Sequence, residues 1–157
     1  MFNLDFVFQN VIFTSLGDEV HTITDMLDIR KRLELGFMKD AFKTLREEDV
    51  RNIRSILEHI KERWRNHQFF HADDREFHMA IFANIENPTL LSMMDAIWSV
   101  DENFKTVEKL KHLDESITKH ENIVKALEAR NEEAFIAAMM AHFASGKYSK
   151  AISFEEY

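Results

Sequence analysis

Two ionisable side chains, Asp74 and His78, lie four residues apart in the stretch DDREFHMAIF. Residues at this spacing share one face of an α-helix, and the same face continues into Ile81 and Ile85. A carboxylate and an imidazole therefore follow an apolar stripe, meaning a line of apolar side chains that a helix buries. Burying such groups alone is costly, so we expect them to find partners inside the protein.

Three further segments place ionisable groups in apolar stripes of helical spacing. His120 lies in the middle of one stripe and His142 lies at the end of another, while Arg30 and Glu34 interrupt a third. One helical segment shows what an uninterrupted stripe looks like in this chain, with spacings of three and four throughout: Val50, Ile53, Leu57, Ile60 and Trp64.

Taken singly, each of these features has an ordinary explanation. A histidine in a core stripe is more often a hydrogen-bonded core residue than a metal ligand, and an Arg–Glu pair four residues apart is usually a surface pair. Together, these buried ionisable groups have the lowest free-energy cost of burial if the fold brings them into contact with one another. Three neutral imidazoles and one carboxylate form a known ligand set for a divalent transition metal, and Arg30 would face that metal as a cation in the same cavity.

Other metal and phosphate chemistries lack their sequence signatures. A di-iron carboxylate site in a helical bundle needs a Glu three residues before a His, and none of the eight histidines has one. The zinc-protease motif His-Glu-x-x-His and a glycine-rich phosphate loop are also absent from the sequence. The sequence therefore offers no support for these activities.

Composition indicates a helical protein of one domain, because 157 residues contain only three Gly and one Pro. The formal net charge of −8 argues against nucleic-acid binding by this chain itself. There is no Cys, no apolar run of membrane-spanning length and no signal-peptide pattern, so we expect a cytoplasmic protein without disulfides.

Helical periodicity divides the chain into an N-terminal segment (1–21), a helical bundle (22–145) and a tail (146–157). Six helices are predicted over about 22–45, 44–66, 72–85, 87–107, 114–129 and 131–145. Their predicted start signals are Thr22 with Asp25, Thr44 with Glu47, Asn87 with Pro88, Asp114, and Asn131, and Gly146 ends the sixth helix.

Three ordered motifs resemble one protein family. Leu27, Arg30, Leu33 and Glu34 follow the segment FNLDFVFQNVIFTSL, and the stretches DREFHMAIFANIENPTL and KHENIVKALEARNEEAFIAAMMAHF come later. In this order and with these separations, the sequence resembles the C-terminal effector-binding (FCD) domain of FadR-type regulators in the GntR superfamily of transcription regulators. The resemblance covers nearly the whole chain.

The resemblance implies an all-α antiparallel bundle of about six or seven helices around a central ligand and metal cavity. It implies that Asp74, His78, His120 and His142 bind the metal and that Arg30 binds a small carboxylate effector. We expect zinc, and nickel, cobalt, iron and manganese also suit the ligand set. The role of Glu34 stays open.

The resemblance also implies a homodimer, for which apolar residues of the fourth helix offer a surface: Met93, Met94, Trp98 and Val100. Members of the family normally carry an N-terminal winged helix-turn-helix domain, which this sequence lacks. We therefore expect a truncated chain that reaches DNA only through the missing domain.

Two other functions are compatible with the residues. A small metalloenzyme could use the same ligand set to activate water or oxygen, with Glu34 as the candidate general base. A structural bundle could use the metal only for stability. Arg30 argues against the structural role, because a cation beside a metal is unfavourable unless an anion lies between them.

Overall fold

The computed structural model describes residues 19–68, 70–103 and 113–144. Within these ranges it contains helices only, which confirms the predicted all-helical bundle. In chain order these are α1 Glu19–Thr44, α2 Glu47–Arg65, α3 His71–Phe82, α4 Pro88–Asn103, α5 Leu113–Glu128 and α6 Glu132–Phe143. Four predicted features lie outside the described residues: the N-terminal segment up to residue 18, the end predicted for the fourth helix, the end predicted at Gly146 for the sixth helix, and the tail.

Two predicted helix starts are confirmed by their capping hydrogen bonds. Asn87 Oδ1 accepts a hydrogen bond from the backbone N–H of Leu90 at 3.0 Å, and Pro88 is the first residue of α4. Asn131 Oδ1 accepts from the backbone N–H of Ala134 at 2.9 Å. Both asparagines satisfy an N–H that the first turn of the helix leaves without a partner.

The two helix starts predicted at Thr22 and Thr44 are wrong. Thr22 lies inside α1, and Thr44 ends that helix, where its hydroxyl donates to the carbonyl of Ala41 at 2.9 Å. A hydroxyl bonded back to its own helix does not cap the next one. Helix α2 instead follows Arg46, whose backbone N–H donates to the Asp49 carboxylate at 2.8 Å.

The core is built where α2 packs against α3 and α5, and where α1 packs against α3, α4 and α6. The uninterrupted stripe of α2 is buried as predicted, except at its end, where Trp64 is exposed. The indole Nε1 of Trp64 donates to Asp114 at 2.8 Å. Asp114 was predicted to cap α5, but α5 begins at Leu113, so Asp114 lies in the first turn.

Ion pairs on the partly exposed side join α2 to α5. The guanidinium of Arg54 contacts Glu121 at 2.9 Å and Glu128 at 2.8 Å, and Lys61 contacts Glu121 at 2.5 Å. These contacts fix the register of α5, which carries one of the candidate metal ligands.

The predicted interface on α4 needs a correction. Met94 and Trp98 are fully buried within the chain, so they are not available to a second copy, and the side chain of Val100 lies outside the described residues. A membrane-spanning segment would need a long apolar helix, and the helices described above include none.

Candidate metal centre

Helix α3 carries two of the predicted ligands on its buried face. Asp74 and His78 are one turn apart, and Phe77 and Ile81 flank them in the core. The Asp74 backbone N–H donates to the carbonyl of Phe70 at 2.8 Å, which places the carboxylate in the first turn of the helix. The spacing seen in the sequence therefore puts both side chains on the side that faces α5 and α6.

The other two predicted ligands come from α5 and α6 and meet the α3 pair in the interior. The rings of His78 and His120 are each 4.8 Å from the ring of His142, measured between centroids, and all three residues are buried. Each histidine offers a ring nitrogen, and these nitrogens lie within 4.8 Å of one another. The described part of the chain thus contains a buried three-histidine group that could hold a metal ion.

The Asp74 carboxylate joins this group from the α3 side. Its Oδ1 lies 2.7 Å from His120 Nε2 and 3.5 Å from His78 Nε2. One carboxylate oxygen therefore faces the Nε2 atoms of two histidines. The structure brings all four predicted ligands to one place, on three different helices.

The outer nitrogens of His78 and His120 are held by acceptors. His78 Nδ1 lies 2.5 Å from Glu34 Oε1, and His120 Nδ1 lies 2.6 Å from the backbone carbonyl oxygen of Ser116. A carbonyl oxygen can only accept, so His120 Nδ1 carries a hydrogen, and Nε2 is the ring nitrogen that faces inward. Histidines that bind metals commonly have this arrangement, in which the second ring nitrogen donates to a carboxylate or a carbonyl oxygen.

The short distance between His120 Nε2 and Asp74 has a chemical consequence. A neutral imidazole with hydrogen on Nδ1 and an ionised carboxylate would meet at 2.7 Å as two acceptors, which repel each other. A proton or a metal cation between them removes the repulsion. The residues present therefore fit a divalent cation bound at this point.

Burial keeps two of the imidazoles, those of His142 and His78, in the neutral state that binds metals. Burial lowers the pKa of His142 well below its usual value, and the neighbouring His120 and His78 rings act in the same direction. Burial also lowers the pKa of His78, despite the opposing effect of the Glu34 carboxylate. Both rings are therefore neutral at physiological pH, with lone pairs available for coordination.

Arg30, predicted to bind the effector, lies beside this group. It is fully buried, and its guanidinium carbon is 3.5 Å from the centre of the Trp98 ring and 5.9 Å from that of Phe143. The same two rings lie 5.2 and 6.1 Å from the ring of His78. Arg30 and His78 thus lie against the same two aromatic side chains, Trp98 and Phe143. Stacking on Trp98 fixes the plane of the guanidinium.

Glu34 connects Arg30 to the histidine group, a role that the sequence left open. Its Oε2 accepts a hydrogen bond from Arg30 Nε at 3.1 Å, while its Oε1 contacts His78. Burial alone would raise the pKa of the Glu34 carboxyl, but the His78 and Arg30 contacts outweigh burial and lower that pKa. Glu34 is therefore a buried, ionised carboxylate between two candidate functional residues.

Two contributors were missed in the sequence. Ser116 supplies a backbone carbonyl for His120, and because every residue has such a group, the sequence carried no signal for this contact. The ring of Trp98 packs against the guanidinium of Arg30, and no local sequence pattern predicted this contact. Outside the three-histidine group, His59 and His67 are exposed, whereas His71 is half-buried with its ring 5.6 Å from the ring of Trp98.

Comparisons with known proteins identify the family. The family model described as the FCD domain matches residues 25–145. A curated relative, the Uxu operon regulator of Haemophilus influenzae, is 24% identical over 132 residues, which cover 78% of this chain and 49% of the relative. The chain thus spans about half the length of this relative. No solved structure matches this chain. Because the family model covers most of the sequence, the chain belongs to the FCD domain family.

Proposed function

We propose that this chain is the effector-binding domain of a bacterial transcription regulator, in which a bound metal and a small organic acid modulate DNA binding by a winged helix-turn-helix domain. Membership of the FCD family and the similarity to a protein named as an operon regulator support the regulatory role. The length of that relative, about twice the matched part, is compatible with an additional domain.

The proposed metal ligands are Asp74, His78, His120 and His142. One observation carries this assignment: the Nε2 atoms of His78 and His120 face one Asp74 oxygen while acceptors hold both Nδ1 atoms. Zinc is our first choice, and nickel, cobalt, iron and manganese also suit three imidazoles and one carboxylate. The metal would supply a Lewis-acidic coordination position for an oxygen of the effector.

The proposed effector is a small mono- or dicarboxylate held between the metal and Arg30. With a divalent metal bound, the charges of the metal and of Arg30 together exceed those of Asp74 and Glu34 by one, even though Glu34 is paired with Arg30, and this excess favours an anionic ligand. A guanidinium presents a planar fork of donors that suits a carboxylate, and its stacking on Trp98 limits the entropy lost on binding. Burial among aromatic side chains strengthens both contacts by excluding water.

A small metalloenzyme is the alternative, and it needs a general base next to the metal. Glu34 was the candidate base in the sequence, but both of its oxygens are engaged, one by Arg30 and one by His78. A carboxylate held in this way positions other groups rather than taking protons from a substrate. We therefore favour binding over catalysis. We also propose that the protein acts as a homodimer, through a surface that excludes the buried Met94 and Trp98.

Calorimetric titration with a panel of small organic acids tests this function. The protein is compared after zinc loading and after treatment with a chelator. We expect carboxylates to bind only the loaded form, and Arg30→Lys to weaken their binding by about 2 kcal/mol, because a point charge lacks the planar fork. The matched control is Arg46→Lys, at an exposed position between α1 and α2.

Two results would contradict the proposed effector class. One is tighter binding of a neutral or cationic ligand than of any carboxylate in the panel. The other is a carboxylate affinity that stays the same when the metal is removed. Arg30→Lys is preferable to Arg30→Ala because it keeps a cation near Glu34, which would otherwise become an uncompensated buried charge.

A further inference from the structure

Glu34 is a fully buried carboxylate that touches two residues with different proposed tasks. Its Oε1 is 2.5 Å from Nδ1 of the proposed metal ligand His78, and its Oε2 is 3.1 Å from Nε of the proposed effector residue Arg30. Glu34 and Arg30 lie one turn apart on α1, whereas His78 lies on α3. The carboxylate therefore spans the contact between these two helices.

The two neighbours of Glu34 impose a strict requirement on its chemistry. Arg30 Nε always carries a hydrogen, so it can only donate. His78 can bind a metal through Nε2 only when its neutral ring carries the hydrogen on Nδ1, so Nδ1 must donate as well. The side chain between them must accept on both sides, which an ionised carboxylate does with its two oxygens.

We propose that Glu34 is the positioning residue that holds His78 in the tautomer able to bind metal and ties the orientation of that ring to that of Arg30. The metal and effector parts of this inference rest on the proposed function. The tautomer of His78 is a property of the metal-free protein and can be measured on its own. Glu34 itself contacts neither metal nor effector in this proposal.

Glutamine shows why the carboxylate is needed. The side chain of Gln has nearly the shape of Glu, but it replaces one acceptor oxygen by an NH₂ donor. If the NH₂ faces Arg30, two donors oppose each other and the guanidinium loses its anchor. If the NH₂ faces His78, it donates to Nδ1 and the ring must carry its hydrogen on Nε2, which blocks metal binding. Either orientation disturbs one of the two sites.

The test combines a measurement on the metal-free protein with a metal titration. Imidazole ¹⁵N shifts at pH 8, above the ordinary imidazole pKa of about 6.5, report which nitrogen of His78 carries the hydrogen. Zinc affinity is measured by competition with a chromophoric chelator. The variant is Glu34→Gln, and the matched control is Glu128→Gln, which removes a carboxylate from another Arg contact between helices, more than two turns beyond His120 on α5.

We expect the Nδ1–H tautomer for His78 in the wild-type protein and in Glu128→Gln. In Glu34→Gln we expect either the Nε2–H tautomer or a mixture, and a zinc affinity reduced by about 10- to 100-fold, the usual effect of removing an outer-shell partner. Glu34→Asp keeps two acceptor oxygens but is shorter by one methylene, so it should recover part of the affinity.

Several results would overturn the inference. An Nε2–H tautomer in the wild-type protein contradicts it directly, and this measurement stands even if Glu34→Gln does not fold. An unchanged tautomer and an unchanged zinc affinity in a folded Glu34→Gln variant contradict it as well. A wild-type protein that binds no zinc but shows the Nδ1–H tautomer would refute the proposed metal site while leaving the positioning of His78 by Glu34 intact.

Discussion

Replacing His120 by alanine is the perturbation whose outcome follows most directly from the geometry. The ring is fully buried, its Nε2 faces Asp74 at 2.7 Å, and its Nδ1 is held by the Ser116 carbonyl. Alanine removes one of four proposed ligands and leaves the other three in place. Because loss of an outer-shell partner alone costs about 10- to 100-fold in affinity, loss of a ligand should cost at least about 100-fold.

The size of the effect on thermal stability can be worked out from linkage. At a free metal concentration of about 1,000 times Kd, binding stabilises the wild-type protein by about 4 kcal/mol, and a 100-fold weaker site retains only about 1.4 kcal/mol of this. For a chain of this length, 1 kcal/mol corresponds to about 2–4 °C in Tm. The increase in Tm on adding metal should fall from about 8–16 °C to about 3–6 °C.

The assay is thermal unfolding with metal and with chelator, combined with metal analysis after dialysis. Comparing the two conditions within each variant removes the packing loss that follows from losing the His120 ring, which lies 4.7 Å from the ring of Phe77. His59→Ala is the control, since His59 is an exposed histidine on α2. A full equivalent of metal and an undiminished increase in Tm in His120→Ala would refute the proposed role of this residue.

Three further outcomes are expected. Metal affinity should fall on acidification only below the ordinary imidazole pKa of about 6.5, because burial lowers the pKa of His78 and His142 and protons compete for their lone pairs only there; zinc titrations from about pH 7.5 to about pH 5 measure this, and an affinity that does not fall over this range would contradict it. Burial alone would raise the pKa of Glu121, but hydrogen bonds from Lys61 and Arg54 outweigh it and lower that pKa, so their stabilisation is present above the pKa of the unfolded chain and is lost as pH falls through the folded value. Arg54→Gln should therefore lower the free energy of unfolding at pH 7 by roughly 1 kcal/mol. In the variant this free energy should also fall less steeply as the pH is lowered, and urea unfolding that shows the same fall with pH in both proteins would contradict this. Gly36→Ala should raise the free energy of unfolding by about 0.5–1 kcal/mol, because Gly36 is an exposed position inside α1 where an added Cβ meets no atom within 4 Å; a lower urea midpoint would be the opposite result.

The fold could be predicted from the sequence to the extent that local signals determine it. Apolar periodicity located the six helices, and the asparagines at 87 and 131 marked two starts because an asparagine side chain readily caps the first turn. Thr44 showed the limit of such signals. Its hydroxyl could bond forward to cap α2 or back to α1, and in the structure it bonds back to the carbonyl of Ala41 on α1.

The gathering of the candidate ligands could be predicted because each lies in an apolar stripe, and a buried polar group needs a partner. The contacts that Glu34 and Trp98 make could not be predicted from the sequence. The Glu34 carboxylate meets His78 only because α1 packs on α3, and Trp98 meets Arg30 only because α4 packs on α1. Side chains brought together by the packing of distant segments leave no pattern within either segment.

The central claim is that His78, His120, His142 and Asp74 together bind one divalent metal. A crystal structure of the zinc-loaded protein, with data collected on both sides of the zinc absorption edge, tests it most directly. We predict one anomalous peak at about 2.0–2.2 Å from a nitrogen of each histidine and an oxygen of Asp74. Zinc found only at exposed histidines such as His59, with the four buried side chains bonded to one another, would contradict the claim.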